Sequence, residues 1–146
     1  MKIALSNDHG GTELKVFISN HLKKLNYEII NLGTNTTVSV DYPDYAYSIA
    51  RLFKEKSIDF GILVCGSGIG ISIAANRYSH IRAALCNDVK SCELSRFHNN
   101  ANVLVLGGRI IKHNIALKCV DKFLSTEFEG GRHIKRIDKL SNPPLL

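Results

Sequence analysis

The sequence predicts an α/β fold in which a five-stranded parallel sheet is flanked by helices on both faces, with one more helix at the C-terminal end. Two observations carry this. Short apolar runs of strand character alternate with stretches of helical spacing along the chain, and such alternation builds parallel sheets covered on both sides. The first strand is centred on Ile3-Ala4-Leu5. Residues 14, 17, 18, 21 to 22 and 25 then recur at helical spacing, and Glu28 to Leu32 resumes a strand. Thr34 to Asp44 is a polar loop ending in Asp41-Tyr42-Pro43-Asp44, where the proline and its flanking aspartates suit a turn and a helix start. Ala46, Ile49, Leu52 and Phe53 mark the second helix. Strands near 59–65, 82–86 and 103–106 then alternate with helices near 70–77, 88–97 and 113–125. In the last segment Gly130-Gly131 precedes a helical pattern on Ile134 and Ile137, and Asn142-Pro143-Pro144 opens a tail over about 141–146.

A length of 146 residues fits one globular domain, residues 1–146, with a real core. No apolar stretch reaches the roughly 20 residues that cross a bilayer, and the first residues turn polar too early for a signal peptide. A soluble cytoplasmic protein with no membrane partner is expected. The cysteines at 65, 86, 92 and 119 form no CxxC pair, so disulfides are not implied. The net charge of +6 is scattered along the chain and no aromatic residues interleave a basic run, so a nucleic-acid partner is not expected. With no HExxH and no paired Cys/His spacing, neither is a metal.

The densest chemical signal is Val64-Cys65-Gly66-Ser67-Gly68-Ile69-Gly70-Ile71, a thiol ending an apolar run ahead of alternate glycines and a helix. Such a loop brings backbone amides to a ligand at the positive end of a helix dipole, suiting a phosphate or a developing oxyanion. Ile71 stands where the dinucleotide fingerprint needs glycine, and no P-loop lysine follows. Asn87-Asp88 leaves only a weak nucleotide reading. Ligands of open α/β sheets bind outside the carboxyl ends of the strands. That edge is expected to gather Asp8-His9-Gly10-Gly11, the Cys65 loop, His98-Asn99-Asn100 and Gly107-Gly108-Arg109. Arg132 and Arg136, one helical turn apart, share a face on which two guanidinium groups meet one phosphate or solvent.

On these residues the chain resembles the type B ribose-5-phosphate isomerases, within the wider family that also holds the galactose-6-phosphate isomerase subunits. The resemblance rests on Asp8-His9-Gly10, Asp41-Tyr42-Pro43, the block from Cys65 to Asn76, Ser95-Arg96-Phe97-His98-Asn99, Gly107 to Arg109, and Glu129-Gly130-Gly131-Arg132-His133. It implies a Rossmann-like three-layer sandwich and a homodimer or higher homo-oligomer whose site is shared between subunits. It also implies aldose-ketose isomerisation of a sugar phosphate without metal or organic cofactor.

By the same resemblance Cys65 is the base, and no glutamate stands within Ile69 to Ile73 to rival it. A free thiol, with a pKa of about 8.5, is mostly protonated at neutral pH, so the helix amino end and nearby cations have to favour the thiolate. The amides of Gly66, Ser67, Gly68, Ile69 and Gly70 and the Ser67 hydroxyl are expected to stabilise the enediolate oxygen. His98 corresponds to the ring-opening acid and Asn99 to a substrate contact beside it. Asp8 and His9 match hydroxyl and phosphate contacts, although Asp8 alone reads as a helix cap. Arg109, Arg132 and Arg136 match the phosphate end, and Tyr42 belongs to a motif near the pocket. The expected reaction is D-ribose 5-phosphate to D-ribulose 5-phosphate, in the non-oxidative pentose phosphate branch. Alternatives are an allose 6-phosphate or galactose 6-phosphate isomerase, or a non-catalytic sugar-phosphate or nucleotide sensor.

Overall fold

The computed structural model describes residues 1–145. The chain runs β1 (Lys2–Asn7), a 3₁₀ turn (His9–Gly11), α1 (Thr12–Lys24), β2 (Glu28–Asn31), α2 (Tyr42–Lys54), β3 (Phe60–Cys65), α3 (Ile69–Ala75), β4 (Ala83–Leu85), α4 (Val89–Phe97), β5 (Val103–Gly107), α5 (His113–Ser125) and α6 (Arg132–Ser141). All strand pairings are parallel, in the order β2-β1-β3-β5-β4. The five expected strands are present. The expected tail begins at Asn142, because α6 continues through Ser141, and its last residue, Leu146, lies outside the described residues.

Successive strand residues face opposite sides of the sheet, and the two sides build two core layers. On one side Ile3, Leu5, Ile62, Val64, Leu104 and Leu106 meet Leu14, Ile18 and Leu22 of α1, Cys92 of α4, and Cys119, Val120 and Phe123 of α5. On the other, Ala4, Leu63, Cys65, Val103 and Val105 meet Ala46, Ile49 and Ala50 of α2 and Ile71, Ala74 and Ala75 of α3. Each fully buried aliphatic or aromatic side chain contributes on the order of 1.5–3 kcal/mol, so these layers hold the strand ends in fixed register. In α1 the buried positions are 14, 15, 18 and 22, whereas Phe17 and, just past the helix, Leu25 are exposed. Phe17 stacks instead on His113, with ring centroids 4.2 Å apart.

Helix caps follow the local chemistry. Pro43 sits in the first turn of α2, where its missing N–H costs no helical bond. Asp88 caps α4: Oδ1 accepts from Ser91 N at 2.8 Å and Oδ2 from Ser91 Oγ at 2.7 Å. These bonds hold its carboxyl below the usual range. With both oxygens engaged, Asp88 is occupied as a cap, which removes the support for a ribose contact.

The topology overturns one expectation. In a parallel sheet each helix carries the chain back from the carboxyl edge to the amino edge, so His98-Asn99-Asn100, which follow α4 and precede β5, lie at the amino edge. The contacts agree: Arg82, just before β4, donates from Nε to Asn100 O at 2.9 Å, and Gly61, near the start of β3, donates to Asn102 O at 3.0 Å. The carboxyl edge expected for these polar residues is therefore wrong.

Candidate active site

The strand order changes direction between β1 and β3, opening the crevice where such sheets hold ligands. The register pairs Asn7 with Val64 and Cys65 with Gly107, which sets Asp8, Cys65 and Gly107 side by side across the three central strands. Backbone bonds lock them there: Asp8 N to Val64 O at 3.2 Å, Gly108 N to Cys65 O at 2.7 Å, and Arg109 N to Gly66 O at 2.9 Å. The insertion of β5 between β3 and β4 is what brings Arg109 beside the Cys65 loop.

Cys65 is buried on the α2 and α3 side, with its Sγ accepting from Gly68 N at 3.1 Å. That amide comes from a residue with φ of +79°, and a Cβ there would sit 2.5 Å from Leu85 Cδ1. Only glycine holds the donor on the sulfur without strain. Ile69 N donates to Ser67 Oγ at 3.2 Å. Two of the five expected oxyanion donors, Gly68 and Ile69, are thus engaged within the loop. Among the described residues, the Gly66, Ser67 and Gly70 amides donate to no protein acceptor, and these three remain for an oxyanion. Tyr42 lies against Gly70, where a Cβ would approach its ring within 2.6–3.0 Å. The other cysteines belong to the opposite core layer, and hydrogen bonding with Cys119 and Cys86 pushes the Cys92 thiol up.

Asp8 acts as the cap that its sequence context suggests, accepting from Gly10 N at 2.8 Å. His9 receives Val40 N on Nδ1 at 3.1 Å. The proton of its neutral ring therefore sits on Nε2, as a donor. His9 and Arg109 line one cavity of about 330 Å³ with Thr12, Thr37 and Gly108. Sequence reasoning missed what holds this corner. Buried Lys15 bonds Thr34 O and, at 2.7 Å, Asn35 Oδ1, while Asn7 Nδ2 donates to Asp8 O at 2.7 Å and Thr34 O at 3.1 Å. Together they tether the loop whose Val40 amide orients His9. A lysine within the apolar face of α1 was the available signal, and burial pushes its pKa down.

A second group occupies the amino edge. His98 stacks on His133, with ring centroids 4.5 Å apart and planes 17° from parallel. His133 Nε2 lies 2.9 Å from Glu129 Oε2 but off the line of an aligned hydrogen bond. Asn99 lines a cavity of about 430 Å³ with Arg82, Tyr78 and Leu140. Arg132 and Arg136 stand exposed on α6. Among the described residues neither has an acidic partner. Glu129 and His133 belong to the Glu129-Gly130-Gly131-Arg132-His133 stretch, in which the sequence alone marks no role for either. Of the remaining histidines, His21 pairs with Asp121 at 2.6 Å and His80 with Ala50 O at 2.8 Å.

A parallel α/β chain thus carries two sets of polar side chains on opposite edges: the Cys65 thiol with free amides, His9 and Arg109, and the His98 imidazole with Asn99 and two arginines. The chain belongs to the Ribose/Galactose Isomerase family, whose model matches residues 3–140. It is 43% identical over 140 residues to ribose-5-phosphate isomerase B of Escherichia coli, covering 96% of this chain and 94% of the relative. The solved ribose-5-phosphate isomerase B of Clostridium thermocellum superposes with a TM-score of 0.95 at 48% identity, covering 97% of this chain and 95% of that one. The Mycoplasma genitalium enzyme, solved with bound ribulose 5-phosphate, superposes with a TM-score of 0.90 at 43% identity, covering 96% and 93%. These similarities agree with the Rossmann-like three-layer fold.

Proposed function

We propose that this protein interconverts D-ribose 5-phosphate and D-ribulose 5-phosphate through an enediolate, as a homodimer whose sites each combine the carboxyl edge of one subunit with the amino edge of the other. The observation that carries the reading is Cys65, set among unpaired loop amides beside Asp8, His9 and Arg109, in a chain of this family. The Cys65 thiolate takes the proton from C2 of the open aldose. The electron pair moves into the C1–C2 bond, and the carbonyl oxygen on C1 becomes the oxyanion that the Gly66, Ser67 and Gly70 amides receive. The O2 proton passes to O1, and the Cys65 thiol returns its proton to C1. The ketose forms with no net gain or loss.

Ribose 5-phosphate is mostly a closed ring, so O4 must be protonated as the C1–O4 bond breaks and the O1 hydroxyl gives up its proton. His98 supplies this proton from the second subunit, with Asn99 beside it, while Arg132 and Arg136 join His9 and Arg109 around the phosphate. The surface supports such pairing. Ile69 and Ile73 on α3 and Ile110 flank the carboxyl-edge half-site, and Ile134 and Leu140 of α6 flank the other, each 55–62% exposed. A two-fold axis brings each patch against the other's counterpart twice. The place of action is the cytoplasm, where the four free thiols stay reduced.

The test is formation of ribulose 5-phosphate from ribose 5-phosphate by the purified chain in the presence of a chelator, with Cys65→Ala in parallel. Turnover by the wild type and a loss of about 10³-fold or more in the folded variant are expected for a missing base. Binding without turnover in the wild type would instead make the protein a sensor.

A further inference from the structure

We propose that His133, braced by Glu129, is the positioning residue that holds His98 for protonation of the sugar ring oxygen. The inference rests on the reading above, since it concerns the acid of that reaction. Among the described residues the His98 side chain makes no hydrogen bond; its ring packs against two other rings, His133 at 4.5 Å and Phe97 at 5.5 Å. The near-parallel stack on His133 therefore sets its orientation. His133 is 5% exposed and turns inward because Gly130 and Gly131, with φ of +74° and +53°, start α6 in a conformation that brings His133 N to Gly130 O at 3.0 Å. Glu129 closes the arrangement from both ends. Its amide donates to Phe97 O at 3.0 Å, on the residue before His98, and its carboxylate reaches His133 Nε2 at 2.9 Å.

Chemistry distinguishes this platform from simple filling. A phenylalanine would fill the slot without burying a polar nitrogen, which costs free energy wherever it lacks an aligned partner. The imidazole adds the link to Glu129, which stops the platform from turning and so fixes the ring above it. The ligand atoms of His98, Glu129 and His133 also lie within 4.8 Å of one another. Two nearly parallel imidazoles, however, point their nitrogen lone pairs alongside each other and not at one ion, so the geometry is that of a stack.

Isomerisation and proton exchange together provide the test. Ribulose 5-phosphate has its O5 blocked by the phosphate and forms no five-membered ring, so only ribose 5-phosphate needs opening. In His133→Leu, kcat on ribose 5-phosphate should fall about tenfold or more, the scale of a misplaced acid, and the fixed equilibrium constant makes kcat/KM fall equally in both directions. Exchange of solvent deuterium into C1 of ribulose 5-phosphate, which needs the enediolate but no ring, should stay within about twofold. His133→Phe should recover part of the forward rate by restoring a ring to stack on. Glu129→Ala, at a partly exposed position that does not threaten the core, should show a weaker loss of the same direction, and it carries the test if His133→Leu does not fold. Equal losses of isomerisation and of C1 exchange, or no loss of either, would overturn the proposal. A wild-type rate abolished by chelator and restored by Zn²⁺ would overturn it too, by making the cluster a metal centre. His98→Ala separates the two levels of argument. If it lowers isomerisation no more than it lowers C1 exchange, His98 is not the ring-opening acid and the proposal falls with that reading. If it lowers isomerisation more than exchange while the His133 and Glu129 variants do not, only the proposal falls.

Discussion

Mixing two inactive variants, Cys65→Ala and His98→Ala, should restore activity. Val103 to Gly107 spans the sheet from amino to carboxyl edge, and at about 3.3 Å per residue this strand alone separates the edges by about 13 Å. The base must reach the proton on C2 and the acid must reach O4, atoms two bonds apart, each within about 3 Å of its side chain. One chain cannot meet both demands. In a randomly reassociated equimolar mixture about half of the dimers are mixed, and each mixed dimer has one site with both wild-type residues and one with neither, so recovery should approach about a quarter of wild-type activity. The assay is ribulose 5-phosphate formation after differently tagged subunits are exchanged at low denaturant, with mixed dimers counted by native mass spectrometry. Verified mixed dimers with no activity above the two parents would refute the shared site.

Other outcomes follow from particular contacts. Gly68→Ala places a side chain at φ +79° with its Cβ 2.5 Å from Leu85 Cδ1; urea denaturation should show a loss of about 1–2 kcal/mol or more from the left-handed backbone alone, with turnover reduced because the amide on Cys65 Sγ shifts. Lys15→Met removes the bonds to Thr34 and Asn35 that tether the His9 loop; KM for ribose 5-phosphate should rise about three- to tenfold with kcat changed less, as expected for lost ground-state binding. Asp88→Ala removes the cap of α4. Because the folded carboxyl is held below its unfolded value, chiefly by the Ser91 amide, this contribution is complete above about pH 4 and is lost as pH falls through the folded value. The gap in melting temperature between wild type and Asp88→Ala should therefore be full at pH 7 and close on acidification.

Much of the fold was legible because its signals are local. Apolar runs gave the strands, periodicity gave the helices, and the Asp-Tyr-Pro-Asp segment gave the neighbourhood of the start of α2, although the loop was expected to run through Asp44 and the helix begins at Tyr42. The Cys65 loop was legible for the same reason, since its glycines, thiol and helix lie within one stretch of chain. What escaped was set by distant parts of the chain. No local feature says that β5 inserts between β3 and β4, yet that swap brings Arg109 to the Cys65 loop. Nothing in the 34–40 loop announces that Val40 N orients His9, or that Lys15 is buried to hold that loop. The use of Gly68 N on sulfur depends on a positive φ that the glycine permits without requiring.

The misplacement of His98 has a more general cause. In a parallel sheet, loops that follow strands meet at one edge and loops that follow helices meet at the other, so polar residues close in sequence order need not be close in space. A chain that recruits an acid from the end of a helix therefore places it away from its own strand-end base, and on the proposed reading a second copy brings the two together. The same topology explains the form of α6. It buries only His133, leaves Ile134 and Leu140 exposed, and holds Arg132 and Arg136 without acidic partners, a poor arrangement for an isolated subunit. Docked across a two-fold axis, those isoleucine and leucine side chains gain a covering surface while the arginines gain the phosphate. On the proposed reading assembly and chemistry rest on the same helix: Ile134→Glu, which changes none of the proposed catalytic or phosphate-binding side chains, should lower turnover in proportion to the loss of dimer seen by sedimentation. Full activity in a monomeric Ile134→Glu protein would mean that one chain suffices.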